Sequence, residues 1–268
     1  GAWEQYISPF EEKYFGEAHI CQYLAINFSL NAIKNVRIYG LFAMNEIQFP
    51  NELGSPSGDA LPNSLGGQLG IELTIPYKQG WFLGTVEGVY TSPYFYIKQG
   101  ADWSLYSKRR NMQGYGASPI CSWIGTPFGP DSIGAQIRFG YNKVGKWNAE
   151  FDYLFVAHGI NSFGLFNKKI TVKDEYGNDI EISGYYPSVL LKSEQNTAEE
   201  AKQMARQMSL NGTVQYTNEL TLKGSYSLNE HFSFDASFTY TFIFNNHNVL
   251  GDFEQGIQMC FGAKYMLF

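Results

Sequence analysis

The segment FSFDASFTYTFIF at residues 232–244 alternates large apolar side chains with small or polar ones. Aromatic residues and one alanine occupy its even positions, and serine, threonine and aspartate fill most of its odd positions. A period of two residues is typical of a β-strand with one apolar and one polar face. The central question for the fold is therefore what covers the aromatic face.

The composition favours a sheet with an unusually apolar surface. Aromatic residues make up 17% of the 268 residues and charged residues only 16%, against about 25% charged in ordinary soluble domains. No uninterrupted apolar run reaches the about 18 residues of a spanning helix. The net charge of −6 argues against nucleic acid as a partner. Three widely spaced cysteines indicate neither a zinc site nor a disulfide framework.

The same alternation recurs along the whole chain and predicts nine strands. Most of them exceed the about 5–6 residues of an average globular strand and reach the about 9–11 residues that cross a membrane. A β-sandwich core is the alternative with a similar composition. The predicted strands lie near residues 19–31, 36–48, 65–76, 80–91, 131–143, 147–158, 213–228, 232–245 and 255–268.

The opposite faces of these strands carry charged and polar side chains. In a sandwich they would face bulk water, whereas in a transmembrane barrel they face the lumen while the aromatic faces contact lipid. On the barrel interpretation, the lumen-lining residues are Glu72, Glu87, Arg138, Glu150, Asp152, Glu219, Lys223, Asp235 and Lys264.

The connections alternate between short and long, as in outer-membrane barrels with short periplasmic turns and long external loops. Short turns are predicted near 32–35, 77–80, 144–146 and 229–231, and long loops at 49–64, 92–130, 159–212 and 245–255. A turn at 144–146 would pair Arg138 with Asp152 and Phe139 with Phe151. A turn at 229–231 would pair Leu222 with Phe238 and set Lys223 diagonal to Asp235. The predicted fold is all-β, a single antiparallel transmembrane β-barrel domain of the bacterial outer membrane over residues 1–268.

The strand count raises a question of completeness. Nine is odd, whereas single-chain bacterial barrels have even counts. Either residues 3–15 add a tenth strand, or the chain is the C-terminal half of a larger barrel, which the weak alternation of 3–15 favours. We expect strand 19–31 to pair with a strand outside the nine rather than in parallel with strand 256–268.

Two of the long loops carry local patterns. Residues 170–183 predict a hairpin with its turn at 176–178. Residues 197–208 predict a short helix, with Thr197 as N-cap and Glu200 closing a capping box. This helix would either cover the barrel mouth or lie solvated on a surface loop.

Motifs for catalysis are weak. His158 follows Asp152 by six residues, but the chain has no histidine with an aspartate two residues away and no Gly-x-Ser-x-Gly elbow. No group of histidine, cysteine and carboxylate residues has metal-site spacing. We therefore predict no catalytic residue, no metal and no cofactor.

A ligand-binding segment is predicted within loop 92–130. DWSLYSKRR at 102–110 sets Trp103 and Tyr106 beside Arg109 and Arg110, a mixture suited to stacking on sugars and pairing with acidic groups. The alternative is interfacial anchoring, since tryptophan and tyrosine belt membrane surfaces and cations reach the headgroups.

Two segments resemble the capsule-assembly Wzi family. SWIGTPFGPDSIGAQIRFGY at 122–141 resembles its Gly-x-x-x-Gly-Pro-Asp-Ser segment, and VRIYGLFAMNEIQFP at 36–50 resembles a strand of that family ending in an acidic residue. The resemblance implies an eighteen-strand barrel that holds capsular polysaccharide, of which nine strands would be the C-terminal half. Trp123 and Asp131 lie in the first segment and join the predicted ligand-binding residues. The chain departs from the usual barrel C-terminal signal, because Tyr265 precedes Phe268 by three residues rather than two.

The expected function is that of a non-enzymatic outer-membrane protein that binds or anchors an external polysaccharide or a partner protein through its long loops. A porin or solute channel is the alternative, and an outer-membrane hydrolase is the least favoured one. Expected partners are outer-membrane lipid, a surface polysaccharide, and another chain or upstream segment that completes the barrel.

Overall fold

The computed structural model describes residues 23–46, 63–96, 106–110, 119–123, 125–162, 169–173, 179–183 and 206–266. These residues form strands and one 3-10 turn, Asn246–Asn248, and no helix within them is long and apolar enough to cross a membrane. The strands are β1 (Leu24–Ile33), β2 (Val36–Glu46), β3 (Ser64–Tyr77), β4 (Gly80–Thr91), β5 (Tyr106–Arg110), β6 (Pro119–Trp123), β7 (Ser132–Lys143), β8 (Trp147–His158), β9 (Lys169–Lys173), β10 (Asp179–Ser183), β11 (Gln215–Ser227), β12 (Phe232–Phe244) and β13 (Phe253–Tyr265).

Nine strands form one antiparallel sheet in the order β1-β2-β3-β4-β7-β8-β11-β12-β13. These are the nine strands predicted from the alternation, and each pairs with its neighbour in that series. Among the differences in bounds, β1 ends two residues later than predicted and β11 begins two residues later, while β13 begins two residues earlier and shortens the preceding connection to 245–252. The predicted positions 19–22, 47–48 and 267–268 lie outside the described residues.

The register aligns apolar side chains into rows that cross the whole sheet. Because each row takes one residue from every strand, the strands present a continuous apolar face. One such row runs Leu30, Ile38, Ile71, Val86, Ile137, Tyr153, Leu220, Tyr240 and Ile257.

The other face is polar in the same register. A row one residue away from the apolar row crosses eight strands through Arg37, Glu72, Thr85, Arg138, Asp152, Thr221, Thr239 and Gln258. Because side chains alternate across a strand, every residue on this row points away from the apolar face. The sheet therefore has two faces of opposite polarity.

The apolar face is open to its surroundings. Many large apolar side chains along it are exposed, and some by more than half: Val86 is 54% exposed, Leu222 56%, Phe139 58% and Ile257 63%. Soluble monomers rarely expose contiguous apolar patches beyond a few hundred Å². This face therefore needs a cover that the chain itself does not supply among the described residues.

The predicted hairpin registers are confirmed. Arg138 pairs with Asp152, and Phe139 with Phe151, across the turn at 144–146. Leu222 pairs with Phe238, and Lys223 lies opposite Ser237, diagonal to Asp235. The tight turns fall at one end of the sheet, which we call the short-turn end; the other is the long-loop end.

The sheet is not closed. β1 and β13 are its two edges, and the described residues contain no pairing between them. In an antiparallel sheet of nine strands the first and last strands run in the same direction, so these edges could meet only as a parallel pair. A closed nine-strand barrel is therefore not what the structure shows, in line with the expected lack of pairing between strands 19–31 and 256–268. The suggested tenth strand at 3–15 lies outside the described residues.

The long connections contain more strand than predicted. The hairpin expected at 170–183 is confirmed as β9 and β10, with Ile170 opposite Ile182. The long loop 92–130 also contains a hairpin that the sequence did not predict, formed by β5 and β6. These five-residue strands are too short to show a clear period of two. Of the helix predicted at 197–208, residues 197–205 lie outside the described residues, and 206–208 are a turn followed by irregular backbone.

Candidate functional site

A network of charged side chains occupies the centre of the polar face. Asp152 is 8% exposed, and its carboxylate accepts two hydrogen bonds of 2.9 Å from the amide of Gln136. Arg138 donates to the same carboxylate from Nε at 3.2 Å and from Nη2 at 3.0 Å. Glu150 lies 3.6 Å from both Arg138 and Lys223. The network ties β7, β8 and β11 together by their polar face.

The Arg138–Asp152 pair should contribute roughly 1 kcal/mol, since partial exposure of Arg138 limits the attraction. A double-mutant cycle with Arg138→Met and Asp152→Asn, measured by urea unfolding in micelles, gives this coupling energy. Arg37 and Glu72, 2.9 Å apart and more exposed, form the comparison pair and should couple more weakly. Zero coupling at Arg138 and Asp152 would contradict the network.

The remaining residues predicted to line a lumen also lie on the polar face. The hydroxyl of Tyr39 donates to Glu87 at 2.5 Å. Glu219 lies opposite Thr241, Asp235 opposite Gly262, and Lys264 opposite Ser233. The register thus places all nine on one face, and a water-filled lumen against that face stays a prediction.

At the long-loop end, two chain segments fold onto the polar face. The ring of Phe95, from segment 92–96, packs where a side chain on Gly66 would stand. The ring of Phe128, from segment 125–131, occupies the corresponding place at Gly134. These two strand glycines therefore make room for aromatic rings from the loops.

Between these segments and the sheet lies a recess of about 600 Å³, which we call the outer recess. The rings of Phe95, Tyr96 and Phe128 form one wall. Side chains of the polar face, Gln68, Glu87 and Gln136, form the other. Glu87 is the only charged side chain among the described residues that line it.

The aromatic wall is a packed cluster. Phe95 and Tyr96 have ring centroids 4.2 Å apart, and Tyr96 stacks on Trp123 at 6.0 Å. The Tyr96 hydroxyl accepts a hydrogen bond of 3.0 Å from the Thr126 amide, and burial raises the pKa of Tyr96. Gly129 has a φ of +74° and leaves space for the Trp123 ring. The glycines of the GTPFG segment at 125–129 thus serve this packing.

Asp131 joins the segments at the long-loop end. It is fully buried, and its carboxylate accepts hydrogen bonds from the backbone amides of Asn211 at 2.9 Å and Asn161 at 3.1 Å. Its own amide donates to the Ser92 carbonyl, and its carbonyl accepts from Gly159. Burial raises the pKa of Asp131, and the two amide donors act in the opposite direction. The sequence placed Asp131 among the ligand-binding residues, whereas the structure gives it four bonds within the protein.

We call the contacts of Asp131 with these segments the clamp. Small polar residues at the strand ends add further hydrogen bonds to it. The Thr91 hydroxyl lies 2.7 Å from the Ser132 hydroxyl and donates to the Gly129 carbonyl at 2.8 Å. The Asn161 amide group donates to the Pro93 carbonyl at 2.8 Å. Sequence reasoning missed these residues, and the available signal was the run of serine, threonine, proline and glycine at the ends of β4 and β7.

The structure describes only some of the other predicted ligand-binding residues, and most of those by their strand pairing alone. Trp103 lies outside the described residues. Tyr106, Arg109 and Arg110 belong to β5, where Tyr106 pairs with Trp123 and Arg110 with Pro119. Trp123 does come close to the outer recess, behind Tyr96. The recess residues Phe95, Tyr96 and Gln68 were not predicted.

No three histidine, cysteine, aspartate or glutamate side chains in the described ranges are grouped to hold a metal ion. His158, considered for catalysis, ends β8 opposite Ser132 and Gln215. Compared with known proteins, the chain matches no family model, no curated protein and no solved structure.

Proposed function

We propose that this chain is an outer-membrane β-barrel protein, or part of one, whose outer recess binds a saccharide of a surface polysaccharide. The observation that carries the membrane assignment is the apolar face that continues across nine strands opposite a charged face. Lipid is the environment that stabilises such a face while water hydrates the other. The proposal assigns no catalytic residue.

The height of the apolar face supports this assignment. The outward-facing Leu65 and Ile75 of β3 are ten residues apart. That separation is about 33 Å along the strand, or about 25 Å after a tilt of about 40°. The apolar band of outer-membrane barrels is also about 25 Å tall.

One polar side chain on the apolar face has its oxygen paired within the protein, as a lipid environment favours. Asn218 of β11 lies between apolar neighbours on this face and is 8% exposed. Its side-chain oxygen accepts a hydrogen bond of 2.8 Å from the Tyr153 hydroxyl. No lipid would need to solvate that oxygen.

The chemistry of the outer recess suits a polyhydroxylated ligand. The partly exposed ring of Phe128 can stack on the apolar face of a sugar ring, with the buried rings of Phe95 and Tyr96 as part of the same wall, and the groups of Gln68, Glu87 and Gln136 can bond to its hydroxyls. With a carboxylate as the charge in its lining, the recess favours neutral or amino sugars over acidic ones. The resemblance to the Wzi family points to the same ligand class.

Phe128→Ala should weaken binding of a neutral oligosaccharide by up to about tenfold, the effect of one aromatic contact, because the Phe128 ring is partly exposed and lines the recess. The measurement is calorimetric titration of the folded chain in micelles with neutral, amino and acidic oligosaccharides. Tyr226→Ala, an exposed tyrosine of the apolar face, is the control and should bind as the wild type does. Equal losses in both variants, or tighter binding of acidic sugars, would contradict the recess as the site.

A solute channel is the second candidate, favoured by the polar row that crosses eight strands. The segments folded over the long-loop end, with Phe95 and Phe128 against the sheet, oppose free passage there. Steady conductance across planar bilayers that contain the protein would favour the channel, and the absence of conductance would favour binding.

A further inference from the structure

A groove of about 710 Å³ lies at the short-turn end of the sheet. It is formed where the β3–β4 turn meets the β7–β8 hairpin. Aromatic rings and two lysines line it: Tyr77, Phe82, Tyr141, Trp147, Lys78 and Lys143. By register, the aromatic residues and Lys143 all belong to the apolar face.

The rings form a continuous wall. Centroids are 4.8 Å apart for Phe82 and Tyr141, and 5.2 Å apart for Tyr141 and Trp147. Tyr77 joins them at 5.7 Å from Phe82, and its carbonyl accepts a hydrogen bond of 3.1 Å from the Tyr141 hydroxyl. The rings are therefore held in place by contacts with one another, and together they offer a continuous apolar surface.

The lysines place positive charge at the rim of this wall. The Lys78 ammonium lies 5.0 Å from the centroid of the Tyr77 ring. Lys143 is the last outward-facing residue of β7, between Gly80 and Trp147 in the register. No acidic side chain is among the described residues that line the groove.

The turns at the short-turn end carry a net positive charge, whereas the chain as a whole is negative. Residues 33–36, 77–80, 143–147 and 228–231 contain four lysines and one glutamate, Glu230, while the chain carries −6. Basic residues beside an apolar, aromatic belt attract anionic headgroups at a membrane surface. The local charge thus complements an anionic lipid.

We infer that the groove binds an anionic phospholipid, with its phosphate between Lys78 and Lys143 and one acyl chain along the aromatic wall. This inference rests on the membrane position proposed above. Neither the outer recess nor the polar face takes part in it. Aromatic rings give the acyl chain its contact surface, and the two ammonium groups select the negative headgroup.

The test uses the full chain in detergent micelles, with retention of added lipid read by native mass spectrometry. The probes are dioleoylphosphatidylglycerol and dioleoylphosphatidylcholine. Lys78→Gln combined with Lys143→Gln should lower retention of the phosphatidylglycerol by about tenfold or more, and leave the phosphatidylcholine unchanged. Lys34→Gln combined with Lys146→Gln is the matched control, because it removes equal charge from turns at the same end without touching the groove.

Equal losses in the two double variants would overturn the inference, since they would indicate a diffuse charge effect. Displacement of the phosphatidylglycerol by millimolar inorganic phosphate would overturn it in favour of a plain phosphate site. Flotation with phosphatidylcholine vesicles distinguishes a failure of the groove proposal from a failure of the membrane assignment. A chain that floats but shows no preference for phosphatidylglycerol refutes the groove alone, and a chain that never inserts refutes the membrane assignment.

Discussion

Phe238→Arg should destabilise the membrane-inserted chain by about 2–4 kcal/mol, the cost of a cation on the lipid face near the bilayer midplane. Phe238 is the middle residue of β12 and lies on the apolar face between Leu222 and Met259. An arginine there cannot reach either membrane surface without distorting its surroundings. Urea unfolding from lipid vesicles, followed by tryptophan fluorescence, measures the change.

Thr239→Arg is the matched control, one residue further along the same strand. Thr239 lies on the polar face, where its hydroxyl is 3.0 Å from that of Thr221, and Asp152 pairs with Thr221 on the next strand. A cation beside that carboxylate and water should cost far less than one in lipid. Equal costs at the two positions would show that both faces of β12 meet the same environment.

Asp131→Ala should destabilise the long-loop end by about 2–4 kcal/mol. Its carboxylate accepts from the amides of Asn161 and Asn211, and a buried donor left without a partner costs about 1–3 kcal/mol. The φ of +57° at this residue adds strain for alanine. Hydrogen exchange should show faster exchange at Asn161 and Asn211, with β12 unchanged.

Asp131→Asn is the graded control. Asparagine tolerates the left-handed backbone and keeps one acceptor oxygen, so its effect should lie between those of the wild type and alanine. Unchanged exchange at both amides in Asp131→Ala would contradict the clamp. If exchange rose equally throughout β12, Asp131 would stabilise the whole sheet and not the long-loop end alone.

The strands and their register could be predicted because one physical constraint repeats along the chain. Where one face of a strand is apolar and the other polar, a slip of one residue exchanges the faces, so the alternation fixes the register. The pairs of Arg138 with Asp152 and of Leu222 with Phe238 follow from that rule and the turn lengths. Strand ends were less certain, because side-chain polarity no longer alternates where the chain turns.

The outer recess could not be predicted from the same rule. It depends on segments 92–96 and 125–131, which are brought together by Asp131 and by residues near 161 and 211. Such contacts leave no periodic pattern. Gly66 and Gly134 look like weak points in a strand, and only the positions of Phe95 and Phe128 explain them. Asp131 was assigned to ligand binding through the segment 122–141 that resembles the Wzi family, whereas its carboxylate accepts hydrogen bonds from backbone amides.

The most direct test of the central claim is the environment of alternate residues along β12. Spin labels are introduced one at a time from position 233 to 242, in a chain whose three cysteines are replaced by serine. Each label reports its access to two probes: oxygen, which is enriched in lipid, and a nickel chelate, which is soluble in water. If the apolar face contacts lipid, we expect oxygen access at even positions such as Phe234 and Phe238, and nickel access at odd positions such as Asp235 and Thr239. Nickel access at the even positions, equal to that at the odd ones, would contradict a lipid-facing apolar face.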